Sequence, residues 1–196
     1  DTTGPYAHVA KASNVPPAFV ITQRINLGLH AVLGRLRATA NFRKIAEDQA
    51  LQELLRSDPS KIGPFIEESL RHEGSVKSGA RLCIRSTEVA GFQIKAGDTL
   101  LYSHLAANRD PVRFPDPAVF DISRPRNIEH IGFGRGPHTC IGAPLARMET
   151  RISIENLLGR FATLTVSEAH HGPEGAQQFH YMPSYVLRAI DALHLK

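Results

Sequence analysis

The stretch from residue 109 to residue 142 constrains the fold more than any other part of this sequence, because no regular element can run through it. It contains five prolines and four glycines, namely Pro111, Pro115, Pro117, Pro125, Pro137, Gly132, Gly134, Gly136 and Gly142. Proline lacks a backbone N–H and fixes φ, which excludes a long helix or a central strand. Loops of this length in a compact domain are usually functional or disordered. The apolar side chains of Phe114, Ile131 and Phe133 favour an ordered loop.

Length and composition are typical of one globular domain. The chain has 196 residues, of which 42% are apolar and 21% charged, enough for a core without disulfides. The net charge of +4 is too small to predict binding to nucleic acid. No apolar run approaches the roughly 18 residues of a membrane helix, so no membrane contact is expected. Two cysteines, Cys83 and Cys140, predict free thiols in a reducing, cytoplasmic compartment.

Apolar periodicity predicts three helices in the first third of the chain. The first is long and buried, from Ala18 to Leu36, and the second is amphipathic, from Phe42 to Leu55. The third begins after Pro59 and runs to about His72. A further amphipathic helix is expected much later, from Ala143 to Phe161.

The remaining segments favour short strands. The runs 82–84, 88–90, 92–94 and 99–101 are β-prone and predict a small hairpin sheet, and 163–166 and 184–188 predict two strands in the tail. We therefore expect one mainly α (α+β) domain over residues 1–196. Its predicted segments are an irregular start at 1–17, helices over 18–72, a small sheet over 80–101, a meander and cysteine loop over 102–142, and a helix plus C-terminal hairpin over 143–195.

A single cysteine lies between glycines immediately before a predicted helix, in the segment Phe133-Gly134-Arg135-Gly136-Pro137-His138-Thr139-Cys140-Ile141-Gly142. A helix N-terminus presents free N–H groups and the positive end of the helix dipole, which favour a thiolate as metal ligand or nucleophile. Gly136 and Gly142 would let the backbone fold tightly around the sulfur and let a flat ligand approach. Backbone N–H groups aimed at a ligating sulfur also tune the potential of thiolate-bound iron.

This segment resembles the haem-binding loop of cytochromes P450, Phe-x-x-Gly-x-Arg/His-x-Cys-x-Gly. The matching residues are Phe133, Gly136, His138, Cys140 and Gly142. The resemblance implies a haem b cofactor with Cys140 as the axial ligand of the iron. Phe133 would shield the sulfur from water, and His138 would reach a carboxylate of the haem.

Further positions fit the bacterial class of the same family. Glu68 and Arg71 form a Glu-x-x-Arg pair at helical spacing, and Arg124 stands where the family has the arginine that completes the pair. The resemblance implies a buried cluster of these three side chains that holds the cysteine loop under the haem. Arg81, ten residues before Gly91, matches the arginine that binds a haem propionate.

Two departures from the family pattern bear on activity. The resemblance runs from about Ala18 to Leu195 and covers only the C-terminal half of a P450, so the chain is either a fragment or a naturally reduced relative. Where the family has Ala/Gly-Gly-x-Asp/Glu-Thr, this chain has Ala18-Phe19-Val20-Ile21-Thr22. Thr22 would then be the catalytic alcohol, while Ile21 replaces the acid, which leaves the proton-delivery pair half missing. The alternative is that Thr22 is an ordinary buried helix residue.

The resemblance implies a haem-thiolate oxidoreductase that oxidises, by hydroxylation, a small organic substrate. The oxidant would be dioxygen, with electrons from a ferredoxin-type partner, or peroxide. One alternative is a haem-binding or scaffold half-domain without turnover, because the resemblance stops at the C-terminal half. Another is an enzyme with Cys140 as nucleophile and His138 as base, although no third orienting group is evident.

Three arginines near the cysteine loop suggest a docking face. Arg135 flanks the loop, and Arg147 and Arg151 are spaced i,i+4 on the following helix, so the three are expected to steer an acidic electron carrier. The alternative is that Arg147 or Arg151 pairs with Glu149 or Glu155 and only solubilises the helix.

Overall fold

The computed structural model describes residues 39–196. The predicted helix from Ala18 to Leu36, with Thr22, and the segment 1–17 lie outside the described residues. Within residues 39–196 helices lie beside two small antiparallel sheets, in agreement with the expected mainly α (α+β) class.

Two helices occupy the place of the single helix predicted from Phe42 to Leu55. Helix α1 spans Thr39–Glu47 and helix α2 spans Gln49–Ser57. Asp48 separates them, because its carboxylate accepts a hydrogen bond of 2.9 Å from the Leu51 N–H and caps the start of α2. The prediction of one continuous helix is therefore wrong, since apolar periodicity does not register a capping aspartate inside the run.

Helix α3 spans Ile62–Glu73 and follows a 3₁₀ turn, Pro59–Lys61. The predicted end at about His72 is confirmed to within one residue. Pro64 is accommodated in the first turn, where its missing N–H has no intrahelical partner to lose. The helix buries apolar residues on one side and four charged or ionisable residues, Glu67, Glu68, Arg71 and His72, on others. These buried polar side chains connect α3 to the irregular part of the chain.

The predicted small sheet forms as two separate two-stranded sheets, and the strand expected at 82–84 lies earlier, ending at Leu82. Strand β1, Ser78–Leu82, pairs antiparallel with β4, Thr99–Ser103. Strands β2, Thr87–Val89, and β3, Phe92–Ile94, form a hairpin. Ala90 and Gly91 make its two-residue turn, with φ of 51° and 83°, which matches the turn geometry that suits the twist of paired strands.

The last part of the chain contains one long helix and few paired strand residues. The short helix α4, His104–Ala107, follows β4, and helix α5 spans Ala143–Arg160, one residue shorter than predicted. The tail contains a short helix α6, Glu168–His171. None of the helices described over 39–196 is long and apolar enough to cross a membrane.

The expected C-terminal hairpin between 163–166 and 184–188 is not formed. Val166 pairs in an isolated bridge with Leu195, and Leu187 pairs with Val76 instead. Backbone hydrogen bonds of 2.7 Å from Lys77 to Val186 and from Arg188 to Ser75 fix the second pairing. A local antiparallel bridge joins Tyr181 to Ile190. The two predicted segments pair instead with distant backbone groups, which local β-propensity does not specify.

The core lies where α1, α2 and α3 meet α5. Its buried apolar members are Ile45, Leu51, Leu55, Ile62, Phe65, Ile66, Ile154, Leu158 and Leu164. One polar side chain joins them: the amide of Gln52 donates to the carbonyls of Ile45 and Leu164 and accepts from the Leu164 N–H. A buried amide whose hydrogen bonds are satisfied carries little desolvation penalty, so Gln52 attaches the start of the tail to α2.

We expect Ile154→Ala to lower the free energy of unfolding by about 2–5 kcal/mol, because it leaves a cavity in a fully buried site. Urea denaturation measures this loss. Ile152→Ala on the same helix is the matched control, since Ile152 is 48% exposed and its truncation opens no cavity. Equal losses for the two variants would contradict the packing described for α5.

Candidate cofactor site at Cys140

The cysteine loop folds back on itself so that Cys140 lies close to Phe133. The Cys140 N–H donates to the Phe133 carbonyl at 2.8 Å, and a 3₁₀ turn, Gly136–His138, lies between them. Gly134 and Gly136 have φ of 73° and 78°, which residues with a side chain rarely adopt. The Cys140 side chain is partly exposed. The loop thus presents one thiol at the surface of a tightly folded turn.

The loop leads directly into the N-terminus of α5. The Ala143 N–H donates to the Cys140 carbonyl at 3.2 Å, and Gly142 is the N-cap of the helix. An 18-residue helix therefore directs its positive end toward the region of the sulfur. Gly142 has φ of −81°, which any residue adopts, so backbone strain does not explain a glycine there.

The two side chains predicted to bind haem carboxylates, Arg81 and His138, are exposed. Arg81 lies on β1, and its guanidinium stands 5.1 Å from the centre of the Tyr102 ring. His138 is exposed at the end of the 3₁₀ turn in the loop. Within residues 39–196, no hydrogen bond or ion pair joins Arg81 or His138 to Cys140. Both side chains are accessible to a negatively charged ligand.

The structure brings Glu68, Arg71 and Arg124 together in a buried cluster, the Glu68 cluster. Arg71 donates to both carboxylate oxygens of Glu68, at 2.8 Å from Nε and 2.7 Å from Nη2. Arg124 Nε lies 3.3 Å from Glu68 Oε1. The Asp121 N–H donates to the same oxygen at 3.0 Å. Burial raises the pKa of Glu68, but these hydrogen bonds outweigh it and lower the pKa below its ordinary value.

The two arginines of the Glu68 cluster also bind the irregular stretch that follows α4. Arg71 donates to the carbonyls of Asn108, Pro117 and Val119 at 3.0–3.1 Å. Arg124 donates to the carbonyls of Pro115, Asp116 and Val119. These carbonyls belong to no helix or strand, so the guanidinium groups satisfy partly buried backbone acceptors that secondary structure leaves without partners.

A second buried cluster, the Glu67 cluster, contains Glu67, His130 and Arg147, and sequence reasoning missed it. Arg147 binds both oxygens of Glu67, at 2.6 Å from Nε and 2.9 Å from Nη2. His130 Nε2 lies 3.0 Å from Glu67 Oε2. Burial raises the pKa of Glu67, but the hydrogen bonds from Arg147 and His130, together with the charge of Arg147, outweigh burial and lower the pKa to about 2.

The one sequence signal for this cluster is the pair of adjacent glutamates on α3. Successive residues of a helix point about 100° apart, so Glu67 and Glu68 cannot face the same partners. Two carboxylates on a buried helix therefore require two separate sets of cations or donors. The identity of those partners is not encoded in the local spacing.

The predicted docking face of three arginines does not form as expected. Arg147 is bound by Glu67, which neutralises its charge, rather than by Glu149 or Glu155. Arg151 pairs with Glu155 at 2.7 Å, as the alternative proposed. Arg135 is exposed beside the cysteine loop. Helical spacing placed Arg147 and Arg151 correctly but did not reveal that α3 lies next to Arg147.

Comparison with known proteins agrees with this arrangement. The family model described as Cytochrome P450 matches residues 63–183. The substrate-free cytochrome P450 CYP150A6 of Mycobacterium marinum superimposes with a TM-score of 0.79 at 43% identity, over 81% of this chain and 39% of that one. The chain belongs to the cytochrome P450 family.

Curated relatives belong to the same family. The biotin biosynthesis cytochrome P450 of Bacillus subtilis is 37% identical over 139 residues, which cover 71% of this chain and 33% of the relative. The 6-deoxyerythronolide B hydroxylase of Saccharopolyspora erythraea is 36% identical over 143 residues, or 73% of this chain and 34% of the relative. The chain spans about a third of the length of these curated relatives.

The family implies a haem-iron cofactor, and the residues around Cys140 fit one. The site offers a single soft thiol, which suits iron, and no second metal-ligating group is needed. Ile141, the residue after Cys140, is apolar and 74% exposed, and the position of a Cβ on Gly136 is open space. An apolar surface beside a thiol suits the face of a flat macrocycle.

We expect Glu68→Ala to lower the free energy of unfolding by about 3–5 kcal/mol, because it leaves two buried guanidinium groups without their carboxylate. Chemical denaturation measures the loss. Glu53→Ala is the control, since Glu53 is 81% exposed and 4.0 Å from Arg56, and it should lose less than about 1 kcal/mol. If Glu68→Ala also lost less than about 1 kcal/mol of unfolding free energy, the Glu68 cluster would contribute no more to stability than a surface ion pair.

We also expect the Glu67 cluster to make stability depend on pH. The pKa of Glu67 is about 2 in the folded chain and 4.5 ordinarily, so the ionised carboxylate stabilises the fold above about pH 5 and stops doing so as the pH falls through about 2. This group accounts for a decrease of about 3 kcal/mol over that interval. Urea denaturation at several pH values should show a shallower decrease for Glu67→Gln. If the unfolding free energy of Glu67→Gln fell with pH as steeply as that of the wild type, Glu67 would not be the responsible group. Glu53→Gln is the control and should keep the wild-type pH dependence.

Proposed function

We propose that the chain provides the thiolate half of a haem monooxygenase site, with haem b held by Cys140. The substrate would be a small organic molecule, oxidised by hydroxylation. The observation that carries this proposal is the position of Cys140, a partly exposed thiol in a tight loop at the N-terminus of α5. The family and its relatives, one of which is a hydroxylase, support the same activity.

The side chains of the loop have distinct roles in this proposal. Cys140 supplies the thiolate, and the Cys140 N–H bond to the Phe133 carbonyl fixes the backbone from which the sulfur projects. Phe133 limits access of water to the sulfur. His138 and Arg81 are exposed donors suited to the two propionates of haem b, where a guanidinium forms a strong bond to a carboxylate. Gly136, where the position of a Cβ is open space, leaves room for the ring beside the loop, and Gly142 is assigned the same role by its place in the family motif.

A thiolate-ligated haem supplies electron density that favours cleavage of the O–O bond. Proton delivery to the oxygen side would depend on Thr22, which lies outside the described residues. Because Ile21 stands where the family has an acid, the proton would have to come through the Thr22 hydroxyl and water. Dioxygen with electrons and peroxide are both compatible oxidants.

An electron carrier of the ferredoxin type is the proposed partner if dioxygen is used. Arg135 is exposed beside the loop and would attract an acidic carrier, whereas Arg147 and Arg151 are neutralised by Glu67 and Glu155. Of the three arginines, only Arg135 has no ion pair within residues 39–196, so the steering is weaker than the three predicted charges would give.

A second candidate function is a haem-binding or scaffold half-domain without turnover. The small sheets expose large apolar side chains, with Phe92 75% exposed and Leu101 72% exposed. Exposed apolar patches of this kind usually contact another surface. Assays of product formation with purified, haem-loaded chain distinguish the two candidates: turnover supports the monooxygenase, and haem binding without turnover supports the half-domain.

We expect Cys140→Ser to abolish the thiolate-type absorption spectrum of the reduced protein with carbon monoxide, because serine cannot supply a thiolate to the iron. Cys83→Ser is the matched control. Cys83 is buried and its thiol lies 2.9 Å from the Arg85 carbonyl, so the control should keep the spectrum. A thiolate-type spectrum that survives in Cys140→Ser would show that Cys140 is not the ligand.

A further inference from the structure

Both ring nitrogens of His130 are in use, which fixes the ring between α3 and the cysteine loop. Nδ1 accepts a hydrogen bond of 3.0 Å from the Gly132 N–H. Nε2 therefore carries the hydrogen that is donated to Glu67 at 3.0 Å. The His130 side chain is 1% exposed. Glu67 thus holds the ring, and the ring holds the backbone at Gly132.

Arg147 reaches the same part of the loop from α5. Its guanidinium carbon stands 4.8 Å from the centre of the Phe133 ring while its nitrogens bind Glu67. The ring of His130 lies 6.3 Å from that of Phe133. Phe133 is therefore held by two members of the Glu67 cluster, and its carbonyl accepts the Cys140 N–H at 2.8 Å.

The surroundings of Gly132 leave no room for a side chain unless a neighbour moves. A Cβ at this position would stand 3.1 Å from His130 Nδ1 and 3.3 Å from the Leu70 carbonyl oxygen. The close approach of the ring and of α3 thus depends on a residue without a side chain. An alanine at residue 132 would push the His130 ring or the loop away.

We propose that His130 and Arg147, both held by Glu67, are positioning residues for Cys140. They fix the backbone at Gly132 and the ring of Phe133, and Phe133 in turn fixes the backbone N–H of Cys140. The effect on the loop is independent of any ligand, whereas its effect on a bound iron rests on the proposed function. Loss of either residue should loosen the loop around the sulfur without unfolding the core.

The chain provides a matched control in Arg43. Arg43 binds Glu73, also on α3, at 3.0 Å, and its guanidinium carbon stands 5.3 Å from the centre of the Phe179 ring. Arg147 and Arg43 thus make the same two kinds of contact, but only Arg147 makes them at the cysteine loop. Lysine in place of either residue keeps the charge and loses the forked, planar contact.

The first experiment measures how fast a thiol reagent modifies Cys140 in the haem-free chain, in a Cys83→Ala background. Loss of the charge-assisted fork should raise the population of open loop, so Arg147→Lys should react about tenfold faster than the unmutated background. Arg43→Lys should react at the background rate. Equal rates for the two lysine variants would overturn the proposal.

His130 is tested with a pair of substitutions. His130→Asn keeps an acceptor near the position of Nδ1 for the Gly132 N–H, whereas His130→Leu keeps none. The Leu variant should therefore show the larger increase in the modification rate, with Asn giving partial rescue. The same rate in both variants, equal to that of the background, would contradict a positioning role. Thermal unfolding shows whether each variant is folded. If a His130 variant does not fold, Gly132→Ala is used in its place, and it should likewise raise the rate at which the reagent modifies Cys140.

The second measurement uses the haem-loaded chain. Arg147→Lys should shift the absorption maximum of the reduced carbonyl form and the reduction potential of the iron, and Arg43→Lys should leave both unchanged. If the wild-type chain gives no thiolate-type spectrum, the proposed function fails, and the modification rates still decide the positioning role. If the spectrum is present and neither variant shifts it, the effect on iron is contradicted.

Discussion

Two adjacent buried carboxylates on α3, Glu67 and Glu68, are the interaction on which the irregular half of this structure depends. Because they point about 100° apart, they reach different parts of the chain. Glu68 holds Arg71 and Arg124, whose guanidinium groups bind carbonyls between residues 108 and 119. Glu67 holds His130 and Arg147, which contact Gly132 and Phe133. One helix thereby organises both the long loop and the turn that contains Cys140.

The cost of burying these charges explains why each has several partners. A buried carboxylate without partners is strongly destabilising, and a single ion pair does not always offset the desolvation of both ions. Each glutamate here receives a forked pair of hydrogen bonds from an arginine and at least one more from another donor. In return the arginines supply donors to loop carbonyls that no helix or strand satisfies. Removing one partner leaves the remaining charges buried and uncompensated, so the shape of the loop depends on each cluster being complete.

Local patterns in the sequence predicted the elements that local interactions determine. The bounds of α5 follow from Pro144 and Gly159 near its ends, although its buried face is not the strongly apolar one that was expected. The hairpin turn follows from Gly91. The partners of Glu67 could not be predicted, since His130 and Arg147 lie 63 and 80 residues away and no spacing relates them. Arg124 was placed beside Glu68 only through the family resemblance. The tail was predicted least well, because its backbone pairs with residues 75–77 and with the chain's own end.

The central claim is that the two glutamates hold different parts of the chain: Glu68 holds the long loop, and Glu67 holds the cysteine turn. Amide hydrogen exchange under native conditions tests this most directly, through the Asp121 N–H bound to Glu68 and the Cys140 N–H bound to Phe133. Glu68→Gln should reduce protection at Asp121 and leave Cys140 protected, and Glu67→Gln should do the reverse. Equal loss of protection at both amides in both variants would contradict the account, because it would show a single cooperative unit.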